Sequence, residues 1–333
     1  MENNKNKKLN KIAAFCAACC IFINLFAFCA PVKAVNVPVK PDDEFIEDIF
    51  KAILTVEPLG GYDTSKTKSA IFNQSVWDGI DAAVNVSNGE VNINLAAARP
   101  SFCSEACYLI LLKALRDWDD ENLNNNLKNN LNLKAISQEA WANLKPYVRR
   151  DDNALWPYQD DGMGCWGRAN ANGPGMAVLC AQLGAGENIY IGAKSEYDNI
   201  SQYWADWDRA KPGDFLKIFW NRYIGYDAAS PKNAESGHMV IYLGRVESYE
   251  NNTRDDWVYY WSSNGSGTML NGGYGISRCR ASKIYRAVLT RITNPAAFDN
   301  AKNIAPDNTD SWLYAIGINH LGTVSELKSA IVG

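Results

Sequence analysis

The order of patterns along the chain predicts an α+β fold, with a buried helix packed on an antiparallel sheet. Three observations carry this. "FCSEACYLILLKAL" (102–115) is apolar nearly all round at helical spacing, so its helix belongs inside the protein. "DFLKIFW" (214–220), "HMVIYLGRV" (238–246) and "WVYYWSS" (257–263) are rich in β-branched and aromatic residues and stand between turn signals, as antiparallel strands do. Helical patterns come first and strand patterns after, which segregates the two kinds of element.

Composition fits a packed protein. Of 333 residues, 47% are hydrophobic and 21% charged, which supports a sizeable core and argues against global disorder. The formal net charge is -4, so a nucleic-acid binder, which needs a basic face, is not expected.

The first residues predict export. "MENNKNKKLNK" supplies Lys5, Lys7, Lys8 and Lys11, "IAAFCAACCIFINLFAFCA" is an uncharged apolar run, and "PVKAVNVPVK" follows. A basic start, an apolar middle and a small residue at the end make a secretory signal over 1–34, cleaved after Ala34. No stable membrane insertion is expected after cleavage. Removal takes away five lysines and Glu2 and lowers the formal charge from -4 to -8. It also leaves five of the nine cysteines: Cys103, Cys107, Cys165, Cys180 and Cys279. An odd number in an exported chain points to a free thiol or to a compartment that does not pair them.

The elements follow in order. "EFIEDIFKAILTV" puts Phe45, Ile46, Ile49, Phe50 and Ile53 on one side of a short helix. Residues 61–98 are weakly patterned, with a strand in "GEVNINLAAA". Ser101 is placed to cap the long helix. "ENLNNNLKNNLNLK" reads as a surface linker, although leucines every four residues also allow a helical arm. "ISQEAWANLKPYV" is a helix stopped by Pro146. A Gly-rich stretch over 150–192 surrounds one helix, "GMAVLCAQLG", ended by Gly184. "ASKIYRAVLTRI" reads as a strand or a short helix, and the tail over 311–333 as a helix.

Several residues can carry chemistry. A thiol attacks as thiolate, and a free cysteine with a pKa of about 8.5 holds little of it at neutral pH. Cys103 at a helix start gains from the partial positive charge there. An imidazole would complete its activation. The chain has two histidines, His238 and His320. His238 opens the strand "HMVIYLG" and is the better placed to reach a cleft. A third group must orient the imidazole. Ser262 and Asn264 are two apart and share one face of the next strand; Asn264 has the longer reach and a carbonyl oxygen. Two histidines and scattered cysteines lack zinc spacing, so neither metal nor cofactor is expected.

The sequence also resembles the NlpC-type cell-wall cysteine peptidases of the papain-like superfamily. "FCSEACYLIL", "KPGDFLKIF" and "GHMVIYLG" are similar to that family's Cys-Ser helix start, Gly-Asp turn and His strand. The likeness covers roughly residues 100–118 and 208–265. Phe102 and Glu105 stand where the family often has Asp and Gly, and the distance from Cys103 to the Gly-Asp turn is unusually long. The resemblance implies a papain-like core over 99–295 carrying a large insertion over 119–207, preceded by a segment over 35–98 and followed by a helical tail over 296–333. It implies hydrolysis of amide bonds in peptidoglycan stem peptides by Cys103, His238 and Asn264, with Ser104 helping to bind a substrate amine. The insertion would shape the cleft through Trp156, Asp160, Asp161, Trp166 and Arg168. The two other functions this sequence allows are a non-catalytic wall- or glycan-binding protein on the same fold and a related acyltransferase.

Overall fold

The computed structural model describes residues 44–64, 68–87, 90–128, 134–148, 162–170, 173–225, 230–265, 272–305 and 321–332. The signal segment, Trp156, Asp160, Asp161 and His320 lie outside the described residues. Helix α1 (Glu44–Leu54) leads to β1 (Leu59–Gly60), α2 (Val76–Ala83) and a hairpin of β2 (Val84–Ser87) and β3 (Glu90–Ile93). The long helix α3 (Cys103–Lys128) comes next, then α4 (Gln138–Leu144), β4 (Tyr147–Val148), β5 (Gly162–Met163), α5 (Gly164–Asn170) and α6 (Met176–Leu183). The second half holds β6 (Gly186–Ile191), α7 (Ile200–Trp207), β7 (Phe215–Phe219), β8 (Gly237–Val246), β9 (Tyr249–Glu250), β10 (Thr253–Arg254), β11 (Trp257–Asn264), β12 (Gly273–Arg280), β13 (Arg286–Ile292) and α8 (Val324–Ala330).

Seven strands form one sheet in the order β1-β12-β11-β8-β7-β13-β6, every neighbouring pair antiparallel. The expected α+β class is what the chain adopts. One face of the sheet, with Phe215, Met239, Ile241, Trp261 and Tyr274, packs against helices α1 to α6. The other face, with Leu216, Ile218, Val240, Tyr242 and Tyr260, packs against Tyr203, Trp204 and Trp207 of α7. Strand β7 is therefore covered on both sides, which is why "FLKIF" is buried at every position. Helix α3 is buried all round from Ala106 to Leu112, as its unbroken apolar run requires.

Residues 42–333 gather into one compact unit. The segment before residue 99 contributes α1, α2 and Leu95 to the main core, and β1 pairs with β12. The stretch taken as an insertion supplies β6, the far edge strand of the sheet, and the core helices α4 to α6. Ser101 is not the cap of α3. Helix α3 begins at Cys103, and it is Glu105 whose carboxylate accepts from the Phe102 N–H at 3.2 Å. The Asn-rich stretch continues α3 to Lys128, so the arm is helical that far. Strands β6 and β12 and helices α2, α5 and α7 were not visible as sequence patterns. Among the described residues no helix is long and apolar enough to cross a membrane.

The Gly-Asp turn has a defined structural duty. Gly213 has φ +95, which favours glycine, and a Cβ there would press on Ile46 Cγ2 at 3.0 Å. Asp214 takes a two-pronged bond from Arg291, Nε to Oδ1 at 2.8 Å and Nη2 to Oδ2 at 2.7 Å. The Lys211 N–H donates to the same carboxylate at 2.8 Å. Burial raises the Asp214 carboxyl, and Arg291 offsets part of that. We expect Asp214→Ala to leave the Arg291 guanidinium with Glu187 and the Arg209 carbonyl as its remaining partners and to cost about 1–3 kcal/mol, read as a lower midpoint in urea denaturation.

Candidate active site

Three polar residues in a row end β11, and each ties down a different part of one site. Ser262 Oγ donates to the Met239 carbonyl at 2.7 Å. Ser263 and Ser101 hydroxyls meet at 2.8 Å, so β11 is bonded to the chain just ahead of α3. Asn264 Oδ1 lies 3.1 Å from His238 Nε2. The Asn264 amide nitrogen donates to Ser262 O at 3.0 Å and to Gly275 O at 2.9 Å. Both amide hydrogens are spent, so the oxygen must face the imidazole. Nε2 therefore carries a proton, and Nδ1 is the ring nitrogen left for the thiol.

Cys103 is the first residue of α3, half-buried, and hydrogen-bonded to His238. Burial pushes its thiol up. The charge of His238, the hydrogen bond from it, the Met239 N–H and the Lys217 charge pull it down, and the balance falls at about 7 against an ordinary 9.0. Among the described residues the other four cysteines, Cys107, Cys165, Cys180 and Cys279, are also free, and burial pushes each of them up. Cys103 alone among them holds thiolate near neutrality. Its neighbours on the helix do not compete for charge: burial raises both the Glu105 carboxyl and the Cys107 thiol well above their ordinary values.

Aromatic rings frame the imidazole. Trp220 stacks on His238 at 6.4 Å between centroids, and Tyr260 meets it edge-on at 5.7 Å. Beside them opens a cleft of about 620 Å³. Tyr62, Asp63 and Thr64 line it from the segment after β1, and Trp220, His238, Tyr260 and Asn264 from the sheet. Tyr62 is held by strand-like bonds to the chain before α3, with Asp63 N donating to Ser101 O at 3.2 Å and Ser101 N to Gly61 O at 3.2 Å. Its ring lies on Gly265 and its Cβ on Gly272, and at either glycine an added Cβ would come to 2.6 Å. Burial first, then the negative thiolate, raise the Tyr62 phenol, so it stays a protonated donor beside Cys103.

The structure brings Cys103, His238 and Asn264 together. Ser262, the alternative third residue, is spent on the Met239 carbonyl and buttresses the site instead. Ser104 follows Cys103, half-buried in the first turn of α3. Trp166 is a correction: it is fully buried between Phe102 and Tyr108, ring centroids 6.2 and 5.0 Å away, and has no face free for a substrate. Arg168 is also buried and donates to Gly164 O at 2.8 Å within its own helix. Sequence reasoning missed Tyr62, Trp220, Tyr260 and Lys217. Of these only Lys217 left a mark, as the single charge inside an apolar strand. Among the described residues no group of three or more side chains of metal-ligand type is gathered.

No protein-family model matches the chain, and no curated protein or solved structure does so either. The residues and their geometry are what define the site: a thiolate, an oriented imidazole and an open cleft beside them.

The thiol titration is the direct check. Iodoacetamide labelling of Cys103 is expected to rise with a midpoint near pH 7. In His238→Ala the two largest lowering influences are gone and only the Met239 N–H and the Lys217 charge still oppose burial, so the midpoint is expected to move up from the wild-type value.

Proposed function

We propose that this chain is an exported cysteine hydrolase that cleaves amide bonds in peptidoglycan stem peptides. The observation that carries the reading is the Asn264–His238–Cys103 chain of contacts, in which an amide with no spare hydrogen forces one imidazole tautomer onto a thiol drawn down to about 7. The likeness of the Cys-Ser, Gly-Asp and His-strand motifs to cell-wall peptidases supports the choice of substrate. A helix bearing its first residue against an antiparallel sheet is also the arrangement a papain-like core would have.

In this reading the Cys103 thiolate attacks the amide carbonyl carbon. The first-turn N–H groups of α3, including that of Cys103, receive the developing oxyanion. His238 gives its proton to the leaving amine as the C–N bond breaks, leaving a thioester on Cys103. Water, deprotonated by the now neutral imidazole, attacks the thioester, releasing the carboxylic acid and the thiolate. Asn264 keeps the ring in place through both halves. Tyr62 and Asp63 offer a phenol donor and a carboxylate to the part of the substrate lying in the cleft, and Ser104 a hydroxyl next to the nucleophile.

The test is digestion of purified peptidoglycan by the chain lacking residues 1–34, with products read by mass spectrometry. Wild type is expected to release fragments carrying a new amine and a new carboxyl in the stem peptide. Cys103→Ala is expected to release none, and Asn264→Ala to lower kcat/KM roughly 100-fold with little change in thermal midpoint. Binding of sacculi by wild type and Cys103→Ala alike, with no released fragment, would replace this reading by that of a wall-binding protein. Export has its own check: N-terminal sequencing of secreted material is expected to start at Val35.

A further inference from the structure

Lys217 is an odd residue to find where it is. It sits in the middle of β7, 5% exposed, among side chains that are otherwise all apolar. It points to the same face as Phe215, the face that α3 covers, and its register partner on β8 is Met239. Its Nζ pairs with Glu235 Oε1 at 2.8 Å, and that carboxylate is itself fully buried. Glu235 also accepts from the Gly173 N–H at 2.9 Å and the Gly225 N–H at 2.8 Å, so its remaining capacity is satisfied. The ammonium lies against Gly237: a Cβ added there would come within 2.6 Å of Nζ. It is thus beside the residue that precedes His238 and beside the one whose N–H holds the Cys103 sulfur.

A buried ion pair is a poor device for stability alone. Desolvating two charges takes back most of what their attraction gives, and apolar residues of similar volume often serve as well or better. Lys217 Nζ stands over Gly237, next to His238, and its charge is one of the influences that favour the Cys103 thiolate. The titratable groups facing Cys103 are His238 from β8, Lys217 from β7, Tyr62 from the segment after β1, and Glu105 and Cys107 from its own helix. Of these only His238 and Lys217 can be cations, and His238 surrenders its proton during the proposed reaction.

We propose that Lys217, held in place by Glu235, is a positioning residue of this site: a buried cation that favours the Cys103 thiolate and keeps doing so after His238 has given up its proton. The proposal rests on the reading of Cys103 as a thiolate nucleophile.

The test compares the pH dependence of iodoacetamide labelling at Cys103 in wild type, Lys217→Met/Glu235→Gln and Lys217→Arg, each checked by urea denaturation. The double variant removes both charges and leaves no buried carboxylate alone. It is expected to raise the labelling midpoint by about one pH unit and to slow labelling at pH 6 about tenfold, with the denaturation midpoint modestly lower, because an amide at 235 can accept from only one of the Gly173 and Gly225 N–H groups. Lys217→Arg is expected to keep the wild-type labelling midpoint. If the double variant fails to fold, Lys217→Gln, which can still donate to Glu235, is expected to give the same upward shift. An unchanged midpoint in the neutral variants, beside a wild-type midpoint near pH 7, would make the pair a structural clamp only and overturn the proposal. A wild-type midpoint at the ordinary thiol value would instead sink the nucleophile reading, and the proposal with it.

Discussion

The hydrogen bonds made by Ser262, Ser263 and Asn264 are the constraint on which the site depends. These three residues end β11, the strand between the His238 strand and the edge that carries β1. Alternation along a strand sends Ser262 and Asn264 to one face and Ser263 to the other. One short tripeptide therefore reaches the Met239 carbonyl, the chain at Ser101 and the His238 ring at once. Ser262 and Ser263 are fully buried. A buried hydroxyl without a partner would cost about 1–3 kcal/mol, so the start of α3 and the start of β8 are held in the relation that satisfies them. The geometry between Cys103 and His238 follows from that requirement.

The same burial creates an electrostatic problem that the surroundings resolve. Enclosing a thiol disfavours its charged form. Here a cation pair, His238 and Lys217, and a backbone N–H outweigh that effect at Cys103. At Cys107, one turn further along α3, no such cation acts and burial wins. Glu105 shows the complementary arrangement. Its carboxyl group caps the Phe102 N–H, and burial raises it well above the ordinary carboxyl value, which disfavours a negative charge two residues from Cys103. Of three acidic or thiol groups within five residues, Cys103 is thus shifted down and Glu105 and Cys107 are shifted up, by what each one faces.

How much of this was legible in the sequence depended on whether the signal was local. The apolar run of α3, the strands β7, β8 and β11, and the helix α6 ended by a left-handed Gly184 all carry their pattern within a few residues, and each formed where expected. Cys103 and His238 stood out because a helix start and a strand start are marked by Ser-Phe and Ser-Gly before them. Strand β6, "GENIYI", was hidden by its glycine-rich surroundings, and its place beside β13 is set by register with a strand about a hundred residues later. Tyr62 had no signal at all, since what puts it in the cleft is backbone pairing with Ser101 and two glycines from another loop. Trp166 misled for the converse reason. An aromatic residue in a Gly-rich stretch looks the same in sequence whether it lines a cleft or fills the space between Phe102 and Tyr108.

The sequence by itself determined the fold class, the helix that must be buried, and the identity of a thiol, an imidazole and an amide as the groups to watch, because periodicity, turn residues and side-chain chemistry are properties of short segments. Only the tertiary structure decided that Asn264 rather than Ser262 faces the imidazole, that residues before 99 build one wall of the cleft, and that Lys217 lies buried against Gly237, next to His238. Those outcomes depend on which hydrogen bonds remain to be satisfied once distant strands are in register, and no single segment carries that information.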